Sequence, residues 1–149
     1  MLYPLDEKKV EEVLQFIEGH VPTLLQMAEA GAAPMEQDVV HRLAVERLIQ
    51  LLTEAMTDVC ALIIDGLMLR DPGSYQDLVE IVTQEGAFPA EYGERLKELV
   101  AFRTRLMREY LSVTVPELSD TLRLAGELLP SFTGYVRKFL ADELFKENF

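Results

Sequence analysis

The stretch EQDVVHRLAVERLIQLLTEAMTDVCALIIDGLML, residues 36–69, decides the fold that we predict for this chain. Its apolar residues recur every three or four positions, which is the spacing of one face of an α-helix. That face consists of Val40, Leu43, Ala44, Leu48, Leu51, Leu52, Ala55, Val59, Leu62 and Ile63. A helix of this length with so wide an apolar face is typical of the central member of a helical bundle.

The segment before this stretch has the same periodicity and predicts a first long helix. Asp6 is placed to cap its N-terminus, and residues 31–34 are placed to end it. Pro22 lies inside the helix and lacks an amide donor, but the apolar stripe stays in register across it. We therefore expect one helix with a kink near Glu18 rather than two separate helices.

The residues after the central helix predict a turn and a short third helix. The turn is formed by residues 71–73, an Asp-Pro-Gly sequence. Ser74 and Asp77 have the spacing of an N-cap residue and its partner in the first turn. Gly86 is placed to end this helix.

Two more long helices follow in the remaining sequence. The fourth helix is expected from about Pro89 to about Val113, with its apolar side continuing through Tyr110 and Leu111. Thr114 and Glu117 match a capping box for the last helical region. That region covers about residues 116–145 and is expected to bend or break at Pro130.

No strand pattern, internal repeat or low-complexity linker interrupts this series of helices. We therefore predict an all-α fold, an antiparallel bundle of four long helices plus one short helix. The length of 149 residues is ordinary for one domain, so residues 1–149 are expected to form a single domain.

The composition limits the partners and the location of the chain. It has 26 acidic and 14 basic residues, a formal net charge of −12, so a nucleic-acid contact would need a local basic patch. Asp58 and Asp65 interrupt the best candidate for a membrane span, and the N-terminal residues do not have the pattern of a signal peptide. Cys60 is the single cysteine and lies in an apolar run, as a core residue in a reducing compartment would. These features predict a cytoplasmic protein that does not enter the membrane.

One charged residue interrupts the apolar stripe of the fourth helix. Arg103 lies on the stripe that runs from Leu96 to Tyr110, where an apolar residue is expected. An unpaired buried guanidinium is costly, so Arg103 must meet an acid, reach a cleft or lie at a subunit interface. The second helix offers a stripe of acids, namely Glu54, Asp58 and Asp65. We predict Asp58 as the partner of Arg103 and as a supporting site residue, with a structural ion pair, catalysis and partner binding all left open.

The segment FRTRLMREYL, residues 102–111, forms a small positive island in an acidic chain. It contains Arg103, Arg105 and Arg108, followed by Tyr110. Guanidinium groups match the oxygens of a phosphate, and a tyrosine can stack on a base or donate a hydrogen bond. A phosphate or nucleotide site is therefore one interpretation, and a solvated helix face is the other.

Other residue patterns give little support for chemistry. His20 and His41 lie on different predicted helices, and neither belongs to a closely spaced pair of ligands, so no metal site is predicted. The sequence has no glycine-rich phosphate loop, nucleophile elbow or CxxC pair, and no cofactor is predicted. The turn at residues 71–74 is interpreted as structural, with a place in the lining of a cleft as the alternative.

Residues 103–110 resemble the signature of the HEPN superfamily. In that signature an arginine is followed by four to six residues, a histidine, any residue and a tyrosine. Here Arg103 is followed by four residues, then Arg108, Glu109 and Tyr110. The long second helix that leads into MLRDPGSYQDL, residues 68–78, and the order of the helices after it resemble HepT-like proteins. The resemblance covers about residues 6–145.

The resemblance implies a homodimer in which two motif helices face one another across a shared cleft. It implies metal-independent endoribonuclease activity for active members, and for HepT-like members a toxin paired with a minimal nucleotidyltransferase antitoxin. In some of these pairs the antitoxin adenylylates the motif tyrosine, so Tyr110 is the implied modification site. Arg103, Arg108 and Tyr110 are the implied site residues, with the two arginines on the phosphate of an RNA.

Arg108 stands where the signature has histidine, which leaves the function open. RNA cleavage through the 2′-hydroxyl benefits from a group that exchanges a proton near neutral pH, which histidine can do and arginine cannot. One hypothesis is a toxin that cleaves RNA. The second is a catalytically inactive homodimer that binds a nucleotide, an RNA or a protein, and the third is a purely structural dimerisation domain.

Overall fold

The computed structural model describes residues 4–147, which form six α-helices joined by short turns. The helices are α1 (Glu7–Ala30), α2 (Ala33–Gln37), α3 (Val39–Gly66), α4 (Tyr75–Gln84), α5 (Ala90–Arg108) and α6 (Val115–Glu147). No residue of this described part lies in a β-strand. The predicted all-α fold is confirmed, with α1, α3, α5 and α6 as its four long helices.

The predicted N-cap of α1 and the prediction of one helix across Pro22 are confirmed. The Asp6 carboxylate accepts a hydrogen bond from the Lys9 amide at 3.0 Å and so caps the helix. The helix continues through Pro22 in one piece. Gly31 ends it with φ of +72°, a left-handed conformation that glycine adopts without steric cost.

The central helix starts later than the sequence pattern predicts. A separate short helix, α2, precedes it, with Pro34 in its first turn. Asp38 then adopts an extended conformation, with φ of −141°, and its carboxylate accepts a hydrogen bond from the Val40 amide at 2.9 Å. This cap starts α3 at Val39 and separates it from α2, so the prediction of one helix from residue 36 is wrong.

The α5 helix, predicted as the fourth helix of the chain, ends earlier than predicted, at Arg108 instead of Val113. The Arg105 guanidinium donates to the Ser112 carbonyl oxygen at 3.1 Å, and the Ser112 amide donates to the Glu109 carbonyl oxygen at 2.9 Å. These bonds close a turn in place of a further helical turn. Tyr110 therefore lies after the helix, and its predicted place on the apolar side of the helix is wrong.

The capping predictions for α4 and α6 are confirmed. The Asp77 amide donates to Ser74 Oγ at 3.1 Å at the start of α4. The Thr114 amide donates to the Glu117 carboxylate at 3.1 Å, and the Glu117 amide donates to Thr114 Oγ at 3.3 Å, which is a capping box. The α6 helix runs through Pro130 without a break, so of the predicted bend or break at Pro130 the break is wrong.

The core lies around α3, which packs against the other five helices. Its largest fully buried side chains include Leu14, Ile17, Met56, Ile63, Leu96, Leu118 and Phe132. Cys60 is fully buried, and burial raises the pKa of its thiol to about 12, as befits a core residue. Among residues 4–147, no helix is long and apolar enough to cross a membrane.

Candidate functional site

Arg103 joins three helices at the centre of the candidate site. Its side chain on α5 is only 13% exposed and forms an ion pair with the carboxylate of Glu54 on α3. Its guanidinium carbon lies 4.5 Å from the centre of the Tyr75 ring at the start of α4, the geometry of a cation–π contact. Of the three predicted alternatives for Arg103, namely an acid, a cleft or a subunit interface, the structure shows an acid. The Nε atom of Arg103 is buried without a hydrogen-bond partner in the described residues.

The predicted acid partner was the wrong member of the acidic stripe. Asp58 lies one helical turn beyond Glu54 on α3 and forms no ion pair with Arg103. Burial and the nearby Glu54 carboxylate raise the pKa of Asp58, while Lys9 and Arg103 lower it less. The charge of Arg103 therefore lowers the pKa of Asp58 by electrostatic attraction, although the two side chains form no ion pair. It lines a groove of about 560 Å³ between α1 and α3.

The turn before α4 places Tyr75 against Arg103. The Arg70 guanidinium donates two hydrogen bonds to the Asp77 carboxylate, at 2.7 and 2.8 Å, and the Gly73 amide donates to the same carboxylate at 2.9 Å. These bonds lower the pKa of Asp77 to about 2. Sequence reasoning did not select Tyr75, although it ends the RDPGSY turn that contributed to the family resemblance.

The three arginines of the predicted positive island have different roles. Arg103 is paired with Glu54, and Arg105 is paired with Glu117 of α6. Arg105 also donates to Ser112, so it fixes the connection between α5 and α6. Arg108 is exposed, and its guanidinium makes neither an ion pair nor a hydrogen bond with any residue from 4 to 147. Only Arg108 of the three has its guanidinium available to a ligand.

A second arginine without a carboxylate partner lies level with Arg108. The chain has nine arginines, all of them in the described part, and seven form ion pairs with acids. The other two are Arg108 and Arg47, which is exposed on α3. Arg47 lies seven residues before Glu54, two helical turns along the same face. The sequence did not indicate Arg47, because only the packing of the helices shows which arginines lack an acid partner.

The relative direction of α3 and α5 brings Arg47 level with the motif. Arg103 pairs with Glu54, and the Arg42 guanidinium donates to the Val113 carbonyl oxygen at 2.7 Å. Residue numbers therefore fall along α3 as they rise along α5 and the turn after it. In this antiparallel register Arg47 is level with the end of α5. The site thus has a paired arginine at its centre and two unpaired arginines at one end.

Apolar side chains are exposed at the same end of the α3–α5 pair. We define the α3–α5 apolar patch as Val39, Val40, Leu43, Met107 and Leu111, which are between 48% and 90% exposed. Tyr110 is 65% exposed beside it, in the turn between α5 and α6. Val40 and Leu43 were predicted to belong to the core-facing side of the central helix, and this is wrong. Exposed apolar groups gathered in one region are typical of an interaction surface.

The histidines take no part in this arrangement. The Nδ1 atom of His20 lies 2.8 Å from the Phe16 carbonyl oxygen on α1. His41 lies in the first turn of α3, and its Nε2 atom is buried without a hydrogen-bond partner. Within residues 4–147, no group of three or more histidine, cysteine and acidic side chains is arranged to hold a metal ion.

The family to which the chain belongs follows from its match over most of its length. The family described as "Ribonuclease HepT-like" matches residues 10–138. The chain is a member of the HepT-like family. The proposed RNase YutE of Bacillus subtilis (strain 168) is 32% identical over 143 residues, which cover 96% of this chain and 95% of YutE. The expected membership of the HEPN superfamily is thus confirmed.

Solved structures have the same fold as this HepT-like chain. The structure of YutE, described as a cytosolic protein from Bacillus subtilis, has a TM-score of 0.84 and 30% identity, covering 96% of both chains. A tri-AMPylated HEPN toxin of Shewanella oneidensis, in complex with its MNT antitoxin, has a TM-score of 0.76 and 17% identity. The alignment with that toxin covers 87% of this chain and 96% of the toxin. At this level of identity, the second similarity supports the fold alone.

Proposed function

We propose that this HepT-like protein binds single-stranded RNA through Arg108 and Arg47 at the motif end of α5, with Arg103 as the paired residue at the centre of the site. The observation that carries the proposal is that, of its nine arginines, Arg47 and Arg108 alone form no ion pair with an acid among residues 4–147. In a chain with a net charge of −12, unpaired arginines that lie level with each other form a local basic site. Guanidinium groups bind phosphate oxygens in a forked geometry, which suits an RNA backbone.

Binding is favoured over cleavage by the chemistry of the motif. A side chain that moves a proton near neutral pH is needed for efficient attack by a 2′-hydroxyl. Arginine remains protonated and serves as a charge stabiliser only. Asp58 has a raised pKa, but it lies beyond Glu54 in the direction away from Arg108. We therefore infer that the site holds RNA and does not cleave it at enzymatic rates.

We propose that the functional unit is a homodimer. The α3–α5 apolar patch lies level with Arg108 and Tyr110, at the motif end of the helix pair. Burial of this patch by the same patch of a second copy would remove apolar surface from water. It would also bring the unpaired arginines of both copies to one cleft, as the family resemblance implies.

We propose a minimal nucleotidyltransferase antitoxin as the protein partner, with Tyr110 as the residue that it adenylylates. The HEPN toxin of Shewanella oneidensis, which shares this fold, is AMPylated and bound to an MNT antitoxin. In the present chain Tyr110 lies in an exposed turn, and its hydroxyl has no hydrogen-bond partner in the described residues. An acceptor of this kind is accessible to an enzyme.

RNA binding is tested by fluorescence anisotropy with a labelled single-stranded oligouridylate of about 12 nucleotides. We expect the single substitutions Arg47→Ala and Arg108→Ala to weaken binding by about tenfold each, as expected for a charge-assisted contact. Each should also lower the slope of log affinity against log salt by about one. Lys138→Ala is the matched control, because Lys138 is an exposed cation on α6 that has no ion-pair partner within the described part of the chain.

The results separate the three hypotheses. Affinity that changes equally in all three variants, or no binding at all, would contradict the proposal and leave a module that binds a nucleotide or a protein, or a structural dimerisation domain. Turnover of the RNA at enzymatic rates that is lost in Arg103→Ala would support the toxin that cleaves RNA. Binding without turnover, weakened by Arg108→Ala and Arg47→Ala only, supports the proposal.

A further inference from the structure

One face of the Tyr75 ring is covered by Arg103, while much of the Tyr75 side chain is exposed to solvent. The Arg103 guanidinium lies over its ring, 4.5 Å from the centre, yet the residue is 46% exposed. Arg103 is itself held by Glu54, so the covering group is fixed in place. An aromatic ring that is held from one side and open to solvent elsewhere can accept a second planar group.

The backbone that carries Tyr75 is also fixed. Ser74 caps α4 through the Asp77 amide, and the Asp77 carboxylate is bound by the Arg70 guanidinium and the Gly73 amide. Four hydrogen bonds within one short turn leave Tyr75 little freedom at the first position of the helix. A platform that is ordered before binding loses little entropy when a ligand stacks on it.

A shallow depression of about 370 Å³ lies beside the Tyr75 ring. It is lined by Pro72, Gly73, Ser74, Tyr75 and Leu78. Pro72, Gly73 and Leu78 contribute no side-chain hydrogen-bonding group, and one acceptor site of the Ser74 hydroxyl is taken by the Asp77 amide. A flat ligand would therefore be held by stacking and apolar contact, with little selection by hydrogen bonds.

We propose that Tyr75 is a stacking platform for one nucleobase of a single-stranded RNA. This inference rests on the proposed RNA-binding function and adds a base subsite to the phosphate contacts of the arginines. The π-face of any base can stack on tyrosine, so the subsite binds purines and pyrimidines alike. The RNA backbone then passes from Tyr75 toward the unpaired arginines at the end of α5.

The absence of tryptophan from the sequence makes a direct test possible. Tyr75→Trp keeps an aromatic face and makes residue 75 the single tryptophan of the chain. We expect its fluorescence to be quenched when oligouridylate or oligoadenylate of about 12 nucleotides binds. An abasic ribose-phosphate oligomer of the same length should bind without quenching it. Phe145→Trp, near the end of α6, is the control tryptophan and should not respond to either oligonucleotide.

An affinity measurement separates stacking from mere support of Arg103. Tyr75→Leu keeps an apolar side chain beside Arg103 but removes the aromatic face, and it should weaken oligouridylate binding by at least about fivefold. Its affinity for the abasic oligomer should equal that of the unchanged protein. Equal weakening for both ligands would overturn the platform and assign Tyr75 to the support of Arg103.

The remaining outcomes distinguish this inference from the proposed function. If RNA binds and responds to Arg108→Ala, but the tryptophan at position 75 is not quenched, the platform is overturned and the proposed function stands. If no oligonucleotide binds the unchanged protein, both are overturned. Quenching by the two base-bearing oligonucleotides alone, together with the selective loss in Tyr75→Leu, supports the platform.

Discussion

Arg103 pairs with Glu54, and Asp58, one turn further along the same face of α3, remains outside the pair. We predict that Glu54→Gln lowers the free energy of unfolding by about 1–2 kcal/mol, because it leaves a largely buried guanidinium without a counter-charge. Asp58→Asn should leave stability unchanged or raise it at neutral pH, because the raised pKa of Asp58 shows that its charged form is disfavoured in the folded protein. Urea denaturation of both variants measures the difference, and a larger loss for Asp58→Asn would contradict this assignment.

The sequence could predict that Arg103 needs an acid, a cleft or a subunit interface, but it could not identify which acid. The need follows from one helix, since a guanidinium on an apolar stripe has to be compensated. The choice between Glu54 and Asp58 depends on how α3 slides against α5, and a shift of one turn exchanges them. Periodicity along a single helix contains no information about that register.

The ends of the helices show a second limit of sequence reasoning. Leu43 and Leu111 continue the apolar pattern of their helices, yet they are 58% and 90% exposed. An apolar pattern indicates surface that is removed from water in the functional assembly, and this surface need not be covered within one chain. The fold class, the order of the long helices and the caps at Asp6, Ser74 and Thr114 depend on local sequence, and they were predicted correctly.

The ion pair between Arg70 and Asp77 predicts a specific pH dependence. The folded protein lowers the pKa of Asp77 from an ordinary value of 3.8 to about 2. A lowered carboxyl pKa contributes stability that is fully present above pH 3.8 and is lost as the pH falls toward 2. The protein should therefore be more stable than Asp77→Asn at pH 7, and this difference should shrink between pH 4 and pH 2. Thermal unfolding followed by circular dichroism gives the stability of both proteins at each pH. A difference in stability that is constant over this range would refute the link between the pKa of Asp77 and stability.

The packing of α4 on α5 leaves no room for a side chain at Gly93. A Cβ atom there would lie 2.5 Å from Thr83 Oγ1 and 2.7 Å from Thr83 Cγ2. Gly93→Ala should therefore lower the free energy of unfolding by about 1–3 kcal/mol through overpacking. The double variant Gly93→Ala with Thr83→Ala should lose less than the sum of the two single losses. Chemical denaturation of the four proteins tests this coupling, and strictly additive losses would mean that Thr83 is not the obstacle.

We predict that charged substitutions in the α3–α5 apolar patch prevent self-association of the protein. Leu43→Glu and Leu111→Glu should each convert the proposed dimer to a monomer, because a carboxylate would have to be buried in the interface. Leu111 lies in an exposed turn, so its substitution should leave the helical content measured by circular dichroism unchanged. Met68→Glu is the control, since Met68 is 70% exposed just after the opposite end of α3. Light scattering after gel filtration gives the mass, and an unchanged mass in both patch variants would exclude this surface as the dimer interface.

Tyr110 is predicted to be the adenylylated residue when the protein meets a minimal nucleotidyltransferase and ATP. It is 65% exposed in the turn after α5, whereas the Tyr92 hydroxyl is occupied by a 2.6 Å hydrogen bond to the Leu128 carbonyl oxygen. Tyr75 is exposed as well, but its ring is covered on one face by Arg103. Mass spectrometry after co-expression should locate AMP on Tyr110, with the adduct lost in Tyr110→Phe and retained in Tyr75→Phe. An adduct that persists in Tyr110→Phe would place the acceptor elsewhere, and would remove the role that the family motif assigns to this tyrosine.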